Sequence, residues 1–165
     1  MKEVSLPSLK ENAIIPLMDS GVQIYHIIES IIGQVGPVEI TATTFSVAEE
    51  FLRAMFRLKK EGKVKSLDIL CDLKSAEKTA RINNLLRNIA DNVYLAENHS
   101  KVVLLQAEGC CVSIVTSQNQ TRGNRTEGAI ITTDEGVYQY FADYISDMIA
   151  NDAVLWRSGE PLPKK

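Results

Sequence analysis

Residues 99–131 read HSKVVLLQAEGCCVSIVTSQNQTRGNRTEGAII: three apolar, strand-like runs with polar residues gathered where they start and stop. Residues 101–105, 111–116 and 128–133 have the length and the branched, apolar content of β-strands. His99 and Lys101 lie two residues apart, so on an extended chain they face the same way. That sets a titratable imidazole beside a fixed positive charge at the start of an apolar strand. If the second run lies alongside the first, it delivers Ser117 and Asn119 to the same edge. The polar stretch 118–126 then leads to Glu127 just before the third run. A carboxylate beside an imidazole fixes its tautomer and stabilises its protonated form.

These groups suit displacement at a phosphodiester. One imidazole attacks phosphorus, while lysine and asparagine donors hold the non-bridging oxygens. A second imidazole on the opposite side protonates the leaving oxygen. No metal or other cofactor is required, and the chain offers no histidine or carboxylate cluster with ligand spacing. Taken singly each residue is ordinary: a surface histidine, an edge-strand lysine that discourages aggregation, a turn asparagine, a solvated glutamate. Their joint order carries the chemistry.

Outward from this stretch, helices and strands alternate. A helix is expected over 20–32, with Val22, Tyr25, Ile28 and Ile32 on one face and Gly33 stopping it. A β-rich run occupies 37–46. Ser46 and Glu49 form a capping box that opens the next helix, whose buried stripe is Val47, Phe51, Met55 and Leu58 and whose end is Gly62. A buried strand follows over 66–73. Ser75 can cap a third helix carrying Ile82, Leu85, Leu86 and Ile89 inward. A last helix begins near Asp134, with Val137, Phe141, Tyr144, Ile145 and Met148 as its core face. The order αβαβα then βββα predicts an α/β fold, a mixed sheet covered by helices.

The 165 residues suit one domain, read as 19–152, with 1–18 an irregular lead-in and 153–165 a frayed tail. A hydrophobic fraction of 45% and a charged fraction of 24% belong to an ordinary soluble chain. No apolar run is long enough to span a bilayer and no signal-peptide core precedes the domain, so no membrane partner and a cytoplasmic location are expected. Cys71, Cys110 and Cys111 fit a reducing compartment as core or near-core side chains. Between Arg53 and Arg87 ten basic residues stand against four acidic ones, although the whole chain carries −3. That surplus fits either a polyanion-facing surface or the solvated side of amphipathic helices.

The ordered set resembles the phospholipase D superfamily, whose motif is H-x-K-x4-D followed by G-S-x-N and a downstream glutamate. His99-Ser-Lys101 matches the first element, Ser117-Gln-Asn119 the second and Glu127 the third. Gln106 stands where the motif has aspartate, and Thr116 replaces its glycine; tyrosyl-DNA phosphodiesterases also lack the aspartate. The resemblance implies a single-domain phospholipase-D-like fold and a metal-independent phosphodiesterase working through a phosphohistidine. It makes His99 the nucleophile or acid, Lys101 and Asn119 the phosphate binders, Ser117 a supporting hydroxyl and Glu127 the partner of a histidine. Arg122 and Arg125 are near enough in sequence to bind backbone phosphates.

The other histidine, His26, sits on the first expected helix with no lysine two residues on. A site needing two imidazoles therefore calls for a second copy of the chain, a C2 homodimer like the superfamily's small bacterial endonucleases. Nucleic acid is the expected substrate, given the basic stretch and the lack of an interfacial helix rich in Lys and Trp. The rival reading is a catalytically impaired domain that keeps the fold and binds nucleic acid or assembles.

Overall fold

A computed structural model describes residues 4–78, 82–120, 125–157 and 160–161. Its elements in chain order are β1 (Ile14–Ser20), α1 (Ile24–Val35), β2 (Val38–Thr44), α2 (Glu49–Lys60), β3 (Val64–Asp72), α3 (Leu73–Lys78) and α4 (Asn83–Ile89). There follow β4 (Asn92–Ala96), β5 (Val102–Ala107), β6 (Cys110–Thr116), β7 (Thr126–Thr132), α5 (Glu135–Asn151) and β8 (Val154–Leu155). All eight strands form one sheet in the order β1-β7-β6-β5-β2-β3-β4-β8.

The parallel part is β2, β3 and β4, joined by crossovers that run through α2 and then α3 and α4, as parallel neighbours require. The antiparallel part is the β5–β6 hairpin with β7 and β1 beyond it. Gly109 makes that hairpin turn at φ 70°, a left-handed conformation that favours glycine.

Strand alternation sorts the side chains into two layers. Ile40, Leu67, Ile69, Val103, Leu105, Val112 and Ile114 lie on one face and are almost fully buried with the apolar sides of α1, α2 and α4. Each large core side chain contributes about 1.5–3 kcal/mol through burial. On the other face α5 packs Ile145 against Val102 and Leu104, with Tyr138, Phe141, Ala142 and Ile149 around them. Beyond α5 no described element covers this second face along β6, β7 and β1, where Val115, Ile130, Met18 and Ile14 are exposed.

The structure bears out the mixed α/β sheet and corrects several details. Residues 14–18, expected to end an irregular lead-in, and residues 19–20, expected to open the domain and its first helix, together form the edge strand β1, with Pro16 opposite Ile130 and Asp19 opposite Glu127. Even before β1 the chain is packed: Leu6 and Leu9 are buried, and their amides donate to Ser30 Oγ at 3.2 Å and Gln34 Oε1 at 2.9 Å on α1. The tail supplies β8, which pairs with β4, and buried Trp156, on which the Arg87 guanidinium stacks. Helix α1 runs through Gly33 and stops at Gly36, whose φ is 84°.

Ser46 makes no capping box, because α2 begins only at Glu49 and the Ala48 amide is taken by Gln120 O at 2.6 Å. The expected third helix is two elements, α3 and α4, and Asp72 caps the first in place of Ser75: its Oδ1 accepts from the amides of Lys74 and Ser75. On α5 Tyr144 and Val137 are exposed, so the aromatic stripe is only partly core. The cysteines are free; burial, with the Asp72 charge adding to it, pushes the Cys71 thiol up to about 12.

Candidate active site

The start of β5 lies between the ends of β6 and β2, because Val102 pairs with Val115 on one side and with Thr43 on the other. His99 and Lys101 therefore emerge at one end of the sheet, flanked by residues just past those neighbouring strands. Thr116 N still donates to Lys101 O at 3.1 Å, which extends the pairing by one residue. Lys101 Nζ donates to His99 O at 2.8 Å and lies 3.3 Å from His99 Nδ1. A lysine ammonium can only donate, so in this contact Nδ1 is the acceptor and the ring N–H is at Nε2.

The residue between them is pinned from below. Ser100 Oγ donates to Asn98 Oδ1 at 2.6 Å and lies 2.8 Å from Thr43 Oγ1. Asn98 is itself buried, its amide donating to Asp72 Oδ2 at 3.2 Å and its side chain to Thr44 O at 3.3 Å. These supports come from β2, β3 and the β4–β5 connection, and no local pattern around His99 announces them.

Asn119 reaches the site by a crossing. After β6 the chain passes over the start of β5 to the far side, where Gln120 forms an isolated bridge with Val47 just beyond β2. Gln120 N donates to Thr44 Oγ1 at 3.3 Å, and Phe45 N donates to Asn119 Oδ1 at 3.2 Å. Asn119 is thus brought to the same end as His99 and Lys101. The Phe45 ring packs against the His99 imidazole, with centroids 5.2 Å apart.

Glu127 takes a different partner from the expected one. Ser117 Oγ donates to Glu127 Oε2 and accepts from Gly128 N at 3.1 Å. The carboxylate is bound to the hydroxyl that the β6 end supplies, and Asp19 stands opposite it across the β1–β7 ladder. Arg125 is exposed at the start of β7; Arg122 lies outside the described residues.

Gln106 is at the other end of β5, five residues and roughly 17 Å of strand beyond Lys101. Its Nε2 donates to Ala107 O at 3.0 Å, within its own hairpin.

Beside His99 a groove of about 470 Å³ runs between the β4–β5 connection and α5, lined by Glu97, His99, Tyr140, Phe141, Tyr144 and Met148. None of the described basic side chains of the 53–87 stretch lines it, although Lys74 reaches its Glu97 at 4.0 Å. Arg53 pairs with Glu49, Arg57 with Glu29, Lys59 with Asp91 and Lys63 with Glu61, the solvated-helix arrangement. Among the described residues no three His, Cys, Asp or Glu side chains are grouped so as to hold a metal, and no helix is long and apolar enough to cross a membrane.

No family model matches the chain, and no curated protein matches its sequence. Solved structures do match. Nuc from Salmonella typhimurium, a phospholipase D family member, superposes with a TM-score of 0.63 at 18% identity, over 87% of this chain and 100% of that one. NucT from Helicobacter pylori gives 0.64 at 14% identity, over 87% and 99%. Phosphatidylserine synthase from Haemophilus influenzae Rd KW20 gives 0.60 at 14%, over 87% of this chain and 40% of that one. At these identities the likeness is one of fold: the chain has the single-domain α/β fold of the phospholipase D superfamily.

Proposed function

We propose that this chain is a metal-independent phosphodiesterase, an endonuclease acting through a phosphohistidine intermediate at the interface of a homodimer. The observation that carries the reading is the convergence of His99, Lys101, Asn119 and the Ser117–Glu127 pair at one end of a sheet whose fold is shared with Nuc and NucT. The mechanism follows from the groups. The scissile phosphate enters beside His99, and its non-bridging oxygens take the Lys101 ammonium and the Asn119 amide hydrogens. As Lys101 turns to the anion it leaves Nδ1, which frees the imidazole to exchange tautomers. A ring nitrogen then forms a bond to phosphorus as the ester P–O bond breaks. The leaving oxygen takes a proton from the imidazole of the second copy, and water hydrolyses the phosphohistidine in the reverse sense.

Two features support a second copy. His26 is on α1 with Nδ1 accepting from Gln23 N, so it serves its own helix and leaves one imidazole at the site. The bare sheet face over Met18, Ile130 and Val115 borders Ser117 and Gly128, and a partner seated there would stand next to the site.

A second reading, a catalytically impaired nucleic-acid-binding or assembly domain, is favoured by one contact: Glu127 is held by Ser117, and among the described residues no carboxylate is bonded to His99. Cleavage of single- and double-stranded DNA in EDTA, wild type against His99→Ala, separates the two. The phosphodiesterase cuts in EDTA and loses at least about a thousandfold of its rate without the imidazole. An impaired domain cuts nothing and binds DNA with a steep salt dependence.

A further inference from the structure

Phe45 lies immediately beyond β2, where that strand runs beside the start of β5. It meets the candidate site twice, through different atoms. Its ring tilts at 56° against the His99 imidazole, with centroids 5.2 Å apart, and its amide donates to Asn119 Oδ1 at 3.2 Å. The backbone around it is tied down on both sides. Thr44 Oγ1 donates to Ser46 O at 2.8 Å, Thr44 O accepts from Asn98, and the Ala48 amide donates to Gln120 O.

We infer that Phe45 is the positioning residue of this site, setting the plane of His99 with its ring and the hand of Asn119 with its amide. A free carboxamide presents oxygen and nitrogen with equal ease. With Oδ1 committed to an N–H, the Nδ2 hydrogens are the end left for an anion. An imidazole is free about two side-chain bonds, and an aromatic ring against one face removes most of those orientations. Fixing both in advance holds the attacking atom and the oxygens it must meet in register, which is where intramolecular reactions gain rate. The two roles separate cleanly, because a side-chain substitution deletes the ring and keeps the amide. Sequence offers no sign of this role: Phe45 is far from His99 along the chain and reaches it only because β2 and β5 are neighbours.

The kinetic consequence rests on the phosphodiesterase reading, whereas the contact itself does not. The test compares Phe45→Ala, Phe45→Leu and Phe45→Tyr with the wild type, each first shown by circular dichroism to be folded. Oligonucleotide cleavage is measured in EDTA, and the His99 ring protons are followed by NMR, assigned by their disappearance in His99→Ala. Phe45→Ala is expected to lower kcat about ten- to a hundredfold with KM within about twofold. Phe45→Leu should fall between, and Phe45→Tyr should restore the rate. The His99 signals should carry a ring-current shift that is lost in Phe45→Ala and regained in Phe45→Tyr. A raised KM at unchanged kcat overturns the positioning role, as do His99 signals that are the same with and without the ring. If the wild type cuts no phosphodiester, the functional reading fails by itself and the NMR comparison alone decides the role of Phe45.

Discussion

At Gln106 the side chain is turned back on the β5–β6 hairpin, at the opposite end of the strand from His99. The position where the phospholipase D motif has its aspartate thus lies, in this chain, in the hairpin and not at the end of the sheet that holds His99. Gln106→Asp should leave the cleavage rate within about twofold of wild type, measured on the same oligonucleotide, since a charge roughly 17 Å away across a packed strand moves little at the site. A tenfold gain would show that the position acts at a distance. The His99–Lys101 pair was legible in sequence because period-two alternation over two residues needs no tertiary information. The partner of Glu127 was not. Ser117 lies one residue past β6 and Glu127 near the start of the adjacent β7, so their contact arises only when those two strands pair. Asn98 and Phe45 were invisible for the same reason: each acts across strands distant in sequence.

Among the elements, α1 carries a pH response of its own near neutral pH. His26 occupies its third position, and Nδ1 accepts from the Gln23 amide at 3.3 Å, an N-terminal bond that only a bare ring nitrogen can make. Burial lowers the His26 pKa, against an opposing pull from Glu29. A histidine depressed in the fold contributes stability in full above its unfolded value of about 6.5, and loses it as pH falls below that toward the folded value. His26→Gln keeps an acceptor at the same place and cannot titrate. Its denaturant midpoint should change less between pH 7 and pH 5 than the wild type's, measured by urea unfolding; equal slopes would remove His26 from the account. Helix ends were the least legible parts of these elements. Gly33 fits inside α1 because the chain needs φ > 0 only at Gly36, and the start of α2 was moved by a bond from Gln120, which sequence spacing cannot foresee.

For the molecule as a whole, sequence order conveyed the layered mixed sheet, since crossovers and hairpins constrain which strands can neighbour which. It missed β1, whose apolar residues point to both faces, and β8, which is two residues long and exists only by pairing with β4. The outward half of β1 bears on association. Met18 is 78% exposed and Ile130 44%, diagonal neighbours on a sheet face that no described helix covers. Met18→Asp combined with Ile130→Asp should weaken self-association at least tenfold in sedimentation equilibrium and lower cleavage in parallel, without lowering the unfolding midpoint. A dimer that survives this double change uses another surface. How copies meet is also limited by Pro16. Thr133 N donates to Ala13 O, so by alternation Ile15, Leu17 and Asp19 turn their amides to β7, while positions 14, 16 and 18 turn theirs to solvent. The middle of that outward row is a proline, with no hydrogen to give. An incoming strand would find its template broken at the centre, so this rim of the sheet resists zipping edge to edge into an endless ribbon.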